Sequence, residues 1–186
     1  MIRYYCFADR VIEISGLPDH MLDGEYLEPF RCRQSLPDMK IYVQQNYVEY
    51  PDSSKKLNGC RYFERNGKYY QVHEFSYASA AVMTALEDWK EKMVTVIVDP
   101  DICKERIFTV NQLLSLSGFF SGLLYRGCVT FHCSYILVGN FAILFAGFSG
   151  MGKSTQAELW RRYRNAEIIN GDRALIFQRE DGWYAG

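Results

Sequence analysis

Short hydrophobic runs separated by turn residues dominate the chain up to about residue 100. Apolar or alternating runs of this length are typical of β-strands. We predict strands at 2–8, 10–14, 40–50 and 93–98, and a hairpin whose Asn66-Gly67 turn joins two aromatic runs. The stretch between that hairpin and residue 93 is ambiguous between strand and helix. The first half of the chain is therefore expected to be mainly sheet.

From Thr109 the spacing of apolar residues changes to the period of a helix. We predict a helix over about 110–125, ended by Arg126-Gly127. This change divides the chain into a β-rich N-terminal domain over 1–127, whose role the sequence does not reveal, and a second part over 128–186. The expected fold class is α+β or α/β.

The second part begins with two apolar strands joined by Gly139-Asn140, a two-residue hairpin turn. The second of these strands leads directly into a Gly-rich loop. A helix over about 152–164 follows, and its spacing puts Ala157, Trp160 and Tyr163 on one face. The remaining features are a short apolar step at Ile168-Ile169, then Asp172, a strand at 174–180 and a last strand at 183–185.

The Gly-rich loop matches the phosphate-binding motif GxxxxGK[ST] at every fixed position. Glycines allow positive φ, so that successive N–H groups point inward as an anion nest, and the following helix adds its own free N–H groups. We expect Lys153 to reach the phosphates and Ser154 to ligate Mg²⁺. The alternative is a Gly-rich turn without a ligand. The predicted nucleotide-binding residues are Gly147, Ser149, Gly150, Met151, Gly152, Lys153, Ser154 and Thr155.

Asp172 is the acidic residue expected to hold Mg²⁺ together with Ser154. Nucleotide enzymes of this kind need an acid at the end of a neighbouring strand, and Asp172 follows the apolar pair Ile168-Ile169. Only one helix and one short strand separate it from the loop. The alternative is an ordinary turn aspartate, because Asp after Gly is common in turns. The strand before the loop is also entered from a tight hairpin and not from a parallel crossover.

Two features make segment 129–180 resemble the catalytic core of HPr kinase/phosphorylase: Asp172 follows the loop after a short interval, and a hairpin leads into the loop. That family shares its nucleotide fold with phosphoenolpyruvate carboxykinase. Residues 152–160 and 167–176 look most like stand-alone bacterial HPr-kinase-like proteins. The resemblance implies the front half of a P-loop kinase core, with a mixed sheet, a hairpin into the phosphate loop and one flanking helix. It further implies transfer of the γ-phosphoryl group of ATP or GTP, with Mg²⁺, to a serine hydroxyl of a protein or peptide.

The resemblance also assigns roles to individual residues. Lys153 would bind phosphate, and Ser154 and Asp172 would hold Mg²⁺. His132, expected at the end of a strand, matches a family histidine that would orient phosphate or shuttle a proton. The predicted catalytic residues are therefore Asp172, His132 and Lys153. The alternative for His132 is a buried strand histidine with a satisfied hydrogen bond.

The chain departs from the family pattern in three places. Gly171 stands where the family usually carries the first of two adjacent aspartates, and Phe148 stands where HPr kinases often have an acid. The chain also stops where related kinases continue, which suggests a fragment whose open sheet edges near 173–185 would favour a homo-oligomer.

Two alternatives to a serine kinase stay open: a nucleotide-binding regulatory module with weakened catalysis, and a small-molecule kinase of the same fold.

Composition limits the partners and the compartment. The formal net charge of −1 gives no support for binding nucleic acid or an anionic membrane. No segment reads as a secretory signal, and the longest apolar stretch, 134–148, is too short to span a bilayer. Six cysteines without a CxxC pair favour reduced thiols and a cytoplasmic location. The spacing of Cys128, His132 and Cys133 fits no common zinc site, which favours buried thiols in strands.

Overall fold

The computed structural model describes residues 1–74, 81–104 and 108–186. These residues form two compact units, Met1–Tyr125 and Arg126–Gly186. The chain is a mixed α+β protein rich in sheet, as its run of short apolar segments and its 16% aromatic content predict. Among the described residues, no helix combines the length and the hydrophobicity needed to cross a bilayer.

An eight-stranded mixed sheet forms the first unit. Its strands are β1 Ile2–Phe7, β2 Arg10–Ser15, β3 Met39–Gln45, β4 Lys55–Leu57, β5 Cys60–Arg65, β6 Lys68–Glu74, β7 Ala81–Ala85 and β8 Met93–Val98. Their order in space is β1-β2-β3-β8-β7-β6-β5-β4. The pairs β2–β3 and β3–β8 are parallel, and the other pairs are antiparallel. The two halves of the sheet therefore meet at β3 and β8, which are far apart in sequence.

Most of the predicted strands are confirmed, and two regions need comment. Asn66 and Gly67 both have positive φ, at 53° and 75°, as the predicted hairpin turn requires. The strand predicted over 40–50 is too long, because β3 ends at Gln45 opposite Val98, the last residue of its parallel partner. The ambiguous stretch before residue 93 forms strand β7 and a 3-10 turn at Glu87–Lys90, while its residues 75–80 lie outside the described residues.

Short helices complete the first unit. They are α1 Pro100–Lys104, α2 Val110–Ser117 and α3 Phe119–Gly122, followed by a 3-10 turn at Leu123–Arg126. Thr109 and Gln112 start α2 with a capping box. The predicted helix over 110–125 is interrupted at Gly118, whose φ of 83° ends α2 in the left-handed conformation. Gly122 then packs directly under the indole of Trp89, where a Cβ would lie 2.4 Å from Cε3.

The second unit is built around one long strand, β9 Cys128–Val138. The other elements are β10 Phe141–Ala146, α4 Lys153–Arg164, β11 Glu167–Asn170, β12 Arg173–Arg179 and β13 Gly182–Ala185. One edge of β9 pairs with β10, and the other edge pairs first with β12 and then with β11. Strand β13 pairs with β12, so the sheet has five strands. All of these pairs are antiparallel, so the mixed sheet expected for this part of the chain is wrong. The turn between β11 and β12 therefore lies beside the middle of β9.

Helix α4 packs on one face of this sheet. Its Ala157 is buried with Ile136 of β9, and Trp160 packs against the same apolar cluster. The prediction that Tyr163 shares this face is wrong, because Tyr163 is 71% exposed. Residues three positions apart on a helix are separated by less than one full turn, so the side chains of Ala157, Trp160 and Tyr163 point in progressively different directions around the helix axis. The apolar stripe of α4 from Ala157 to Trp160 is therefore only about one turn long.

Candidate functional site

The Gly-rich loop over 147–152 joins the end of β10 to the start of α4, which is the local arrangement that the motif predicts. Gly150 and Gly152 have φ of 83° and 84°, a left-handed conformation that glycine adopts without strain. Gly152 occupies the N-cap of α4, and no side chain of the described residues caps this helix end. The first-turn N–H groups and the positive end of the helix dipole therefore face the loop unmasked.

Lys153 folds back along the loop that precedes it. Its Nζ donates hydrogen bonds to the carbonyl oxygens of Gly147 at 2.9 Å and Phe148 at 3.3 Å. The next two side chains, Ser154 and Thr155, are exposed hydroxyls in the first turn of α4. One ammonium group, two hydroxyls and the open helix end are thus collected around one loop. This set of groups is suited to bind an anion.

Cys133 of β9 separates the loop from Asp172. Ala146, the last residue before the loop, pairs with Cys133 on one edge of β9. On the other edge the Cys133 N–H donates to the carbonyl oxygen of Asp172 at 3.0 Å. Neighbouring strands lie about 4.8 Å apart, so the start of the loop and the backbone of Asp172 are about 10 Å apart. Burial raises the pKa of the Cys133 thiol, Asp172 raises it further, and Lys153 lowers it. Both charges therefore act on this thiol.

The structure brings His132 and Asp172 together. His132 Nδ1 lies 3.2 Å from Asp172 Oδ1, and Arg173 Nε lies 3.0 Å from Asp172 Oδ2. The predicted position of His132 at a strand end is wrong, since it lies inside β9, directly opposite Arg173 of β12. The buried alternative is also wrong, because the His132 side chain is 58% exposed. Alternation along β9 places His132 on the same face as Ile136, which is the face that α4 covers.

Two residues that the sequence analysis did not single out hold the turn that carries Asp172. The Asn170 side-chain oxygen accepts from the N–H groups of Asp172 at 2.8 Å and Arg173 at 3.0 Å. Ser134 Oγ donates to the Gly171 carbonyl oxygen at 3.3 Å. An Asn two residues before the acid is a recognisable turn signal, whereas nothing local marks Ser134, because its partner is distant in sequence.

The candidate ligands for Mg²⁺ are the oxygen-bearing side chains of Ser154 and Asp172. Magnesium prefers oxygen ligands, and Ser154 and Asp172 would supply a hydroxyl and a carboxylate. Among the described residues, no three His, Cys, Asp or Glu side chains are grouped to hold a metal. Cys128 and Cys133 are buried cysteines of β9, and Cys133 points to the opposite face of β9 from His132.

Comparison with known proteins adds no relative. No family model matches the chain, and no curated protein or solved structure matches it. The features that bear on function are therefore the loop with its motif and the residues that surround it. The strongest geometric feature is the placement of the loop and Asp172 on opposite edges of the same strand, β9.

Proposed function

We propose that the chain is an ATP-dependent phosphotransferase resembling HPr kinase, which transfers the γ-phosphoryl group to a serine hydroxyl of a protein or peptide. The observation that carries this proposal is the position of the loop over 147–152 between β10 and α4. Lys153 follows this loop directly and donates to its backbone, and Asp172 lies on the other side of Cys133. A phosphate chain on one edge of β9 would have an acid within reach on the other edge. GTP would fit the same phosphate-binding groups.

Phosphate binding would use groups that now have weaker partners. Lys153 Nζ donates to the two neutral carbonyl oxygens of Gly147 and Phe148, and a phosphate oxygen is a stronger, charged acceptor. The open N-terminus of α4 would add N–H donors. Ser154 and Asp172 would hold Mg²⁺, which when bound neutralises charge on the phosphates. The affinity for nucleotide therefore depends on local groups around the loop.

The His132–Asp172 pair would handle the proton of the acceptor. With Nδ1 of His132 held by Asp172, Nε2 is the ring nitrogen that takes the serine proton. The serine oxygen then forms a bond to the γ-phosphorus while the bond from that phosphorus to the β–γ bridging oxygen breaks. Phosphoserine and ADP are the products. Asp172 orients the ring and stabilises its positive charge.

The Lys153→Ala variant tests nucleotide binding. We expect the dissociation constant for ATP with Mg²⁺ to rise about 10- to 100-fold, because a hydrogen bond to a charged group contributes about 1.5–3 kcal/mol. Isothermal titration calorimetry measures this directly. Arg164→Ala is the control, since it removes a cation from the far end of the same helix. Unchanged affinity in Lys153→Ala would contradict any nucleotide role for the loop.

A second candidate function is a nucleotide-binding regulatory module with weakened catalysis. Two observations favour it: Gly171 lacks the second carboxylate, and Arg173 occupies one oxygen of Asp172. Under this alternative the wild-type chain would bind ATP with no transfer to any serine peptide. Turnover by the wild-type chain would support the kinase.

The Gly171→Asp variant tests whether the missing carboxylate limits the chemistry. Position 171 is exposed, and a Cβ built there meets no atom within 4 Å apart from its chain neighbours. We expect phosphoryl transfer to rise at least about tenfold, because proton transfer and metal binding would then use separate acids. Formation of ADP from ATP with a serine-peptide pool is the measurement. Gly171→Asn has the same shape without the charge, and equal rates in the two variants would refute the expectation.

A further inference from the structure

Four polar side chains share one face of the β5–β6 hairpin in the first unit. Cys60 is paired with His73, and Tyr62 is paired with Gln71. Directly paired residues lie on the same face of a sheet, as do residues two apart along a strand. The four side chains therefore form one patch around the Cys60 sulfur.

The Cys60 sulfur is surrounded by hydrogen-bonding groups. Its Sγ lies 3.0 Å from His73 Nε2, and Gln71 Nε2 donates to it at 3.4 Å. Burial and a hydrogen bond to the Cys60 side chain raise the pKa of Tyr62, so its hydroxyl keeps its proton as a donor. A neutral thiol is a weak acceptor, whereas a thiolate is stabilised by such donors. Hydrogen-bonding groups of Gln71, Tyr62 and His73 therefore face this sulfur.

His73 is placed to accept the thiol proton. Burial lowers the pKa of His73, so its ring is neutral near pH 7 and Nε2 can accept. A thiol within hydrogen-bond distance of a neutral imidazole is the arrangement of an activated nucleophile. In another buried cysteine of the same unit, Cys103, burial and the nearby Asp99 raise the pKa to about 11.

A buried hydroxyl next to the patch has no partner. Thr84 of β7 is directly opposite Gln71, and its Oγ1 is buried without a hydrogen-bond partner among the described residues. An unsatisfied buried hydroxyl costs about 1–3 kcal/mol, which a valine of the same shape would avoid. This observation is independent of the contacts at Cys60. It identifies an unsatisfied hydrogen-bonding group beside Gln71.

We propose that Cys60 is a thiol that reacts with hydroperoxides, activated by His73 and stabilised by Gln71 and Tyr62. Cys60 is only 4% exposed, so its reagent must be a small molecule such as hydrogen peroxide. His73 takes the thiol proton, and the thiolate sulfur bonds to one peroxide oxygen while the O–O bond breaks. Sulfur is oxidised by two electrons to sulfenic acid, and the peroxide is reduced. The departing hydroxide takes the proton from His73 and leaves as water.

Residue-resolved oxidation of the full chain tests the proposal. The protein is exposed to hydrogen peroxide, the excess is removed with catalase, and the chain is unfolded in dimedone, which traps sulfenic acid. Mass spectrometry of the peptides then gives a rate for each of the six cysteines. We expect Cys60 to react at least about tenfold faster than Cys103 and Cys133, which are buried and whose sulfur has no imidazole among its hydrogen-bond partners in the described residues.

The His73→Gln variant tests the activating group. It keeps a polar side chain beside the sulfur but removes the base, so the Cys60 rate should fall at least about tenfold while the Cys103 rate stays the same. An unchanged Cys60 rate would overturn the proposal. So would a wild-type Cys60 that reacts no faster than Cys103. This wild-type comparison needs no variant and decides the matter even if His73→Gln does not fold.

Discussion

The Asp172→Asn variant is expected to transfer phosphoryl groups about 100- to 1,000-fold more slowly than the wild-type chain, with unchanged affinity for ATP in the absence of Mg²⁺. The amide has the shape of the carboxylate but not its charge. It can neither stabilise a protonated His132 nor serve as a full metal ligand. Asp172 is more than half exposed, and Asn170 holds the turn through backbone N–H groups, so the fold should persist.

The measurement is the rate of ADP formation from ATP with Mg²⁺ and a pool of serine-containing peptides. Asp181→Asn is the matched control, because Asp181 is an exposed turn aspartate of the same unit whose partner is Tyr184. Its rate should equal that of the wild type. A wild-type rate in Asp172→Asn would contradict the role of Asp172 in catalysis and leave the loop as a binding site alone.

The Asp23→Ala variant is expected to lower the free energy of unfolding of the first unit by about 3–5 kcal/mol, the cost of breaking a buried ion pair. The Asp23 carboxylate accepts from the Arg3 guanidinium, from the Tyr5 hydroxyl at 2.7 Å and from Arg31 at 3.1 Å. The Arg3 side chain is only 5% exposed, so without Asp23 its charge would remain buried with the Met21 carbonyl oxygen as acceptor. Tyr5 would lose its acceptor in the core.

Urea denaturation followed by tryptophan fluorescence measures this loss, since Trp89 is the tryptophan of the first unit and is buried. Asp19→Ala is the control from the same loop. The Asp19 side chain is 92% exposed and lies 3.8 Å from the N-terminal ammonium, so its removal should change stability by less than about 1 kcal/mol. A loss below that size in Asp23→Ala would show that the buried pair contributes little.

The local features of the fold could be predicted because they depend on neighbouring residues. Asn66-Gly67 and Gly139-Asn140 are recognisable as hairpin turns from two residues each, and both hairpins form. The strand before the phosphate loop and the helix after it also follow from local patterns. The end of α2 at Gly118 could not be predicted in this way, because a glycine within a helical pattern is compatible with either a continuous helix or a break.

The wrong predictions concern residues whose environment is set by distant partners. Nothing near Gln45 indicates that β3 ends there, since the reason is the end of β8 more than fifty positions later. The exposure of Tyr163 depends on how much sheet α4 can cover. The position of His132 inside β9 depends on β12, which pairs with β9 although β10 and α4 lie between the two strands in the sequence.

By itself, the sequence determined the turn chemistry, the strand–loop–helix around Lys153 and the presence of an acid at residue 172, because φ preferences and hydrophobic periods act over a few residues. Only the tertiary structure decided which strands pair and along which of their edges. It placed Asp172 beside His132, joined Asp23 to Arg3, and set Cys60 against His73 with Gln71 alongside. The contact of Cys60 with His73 and Gln71 depends on the register of β5 and β6, and a shift of one residue in either strand would turn its side chains to the other face.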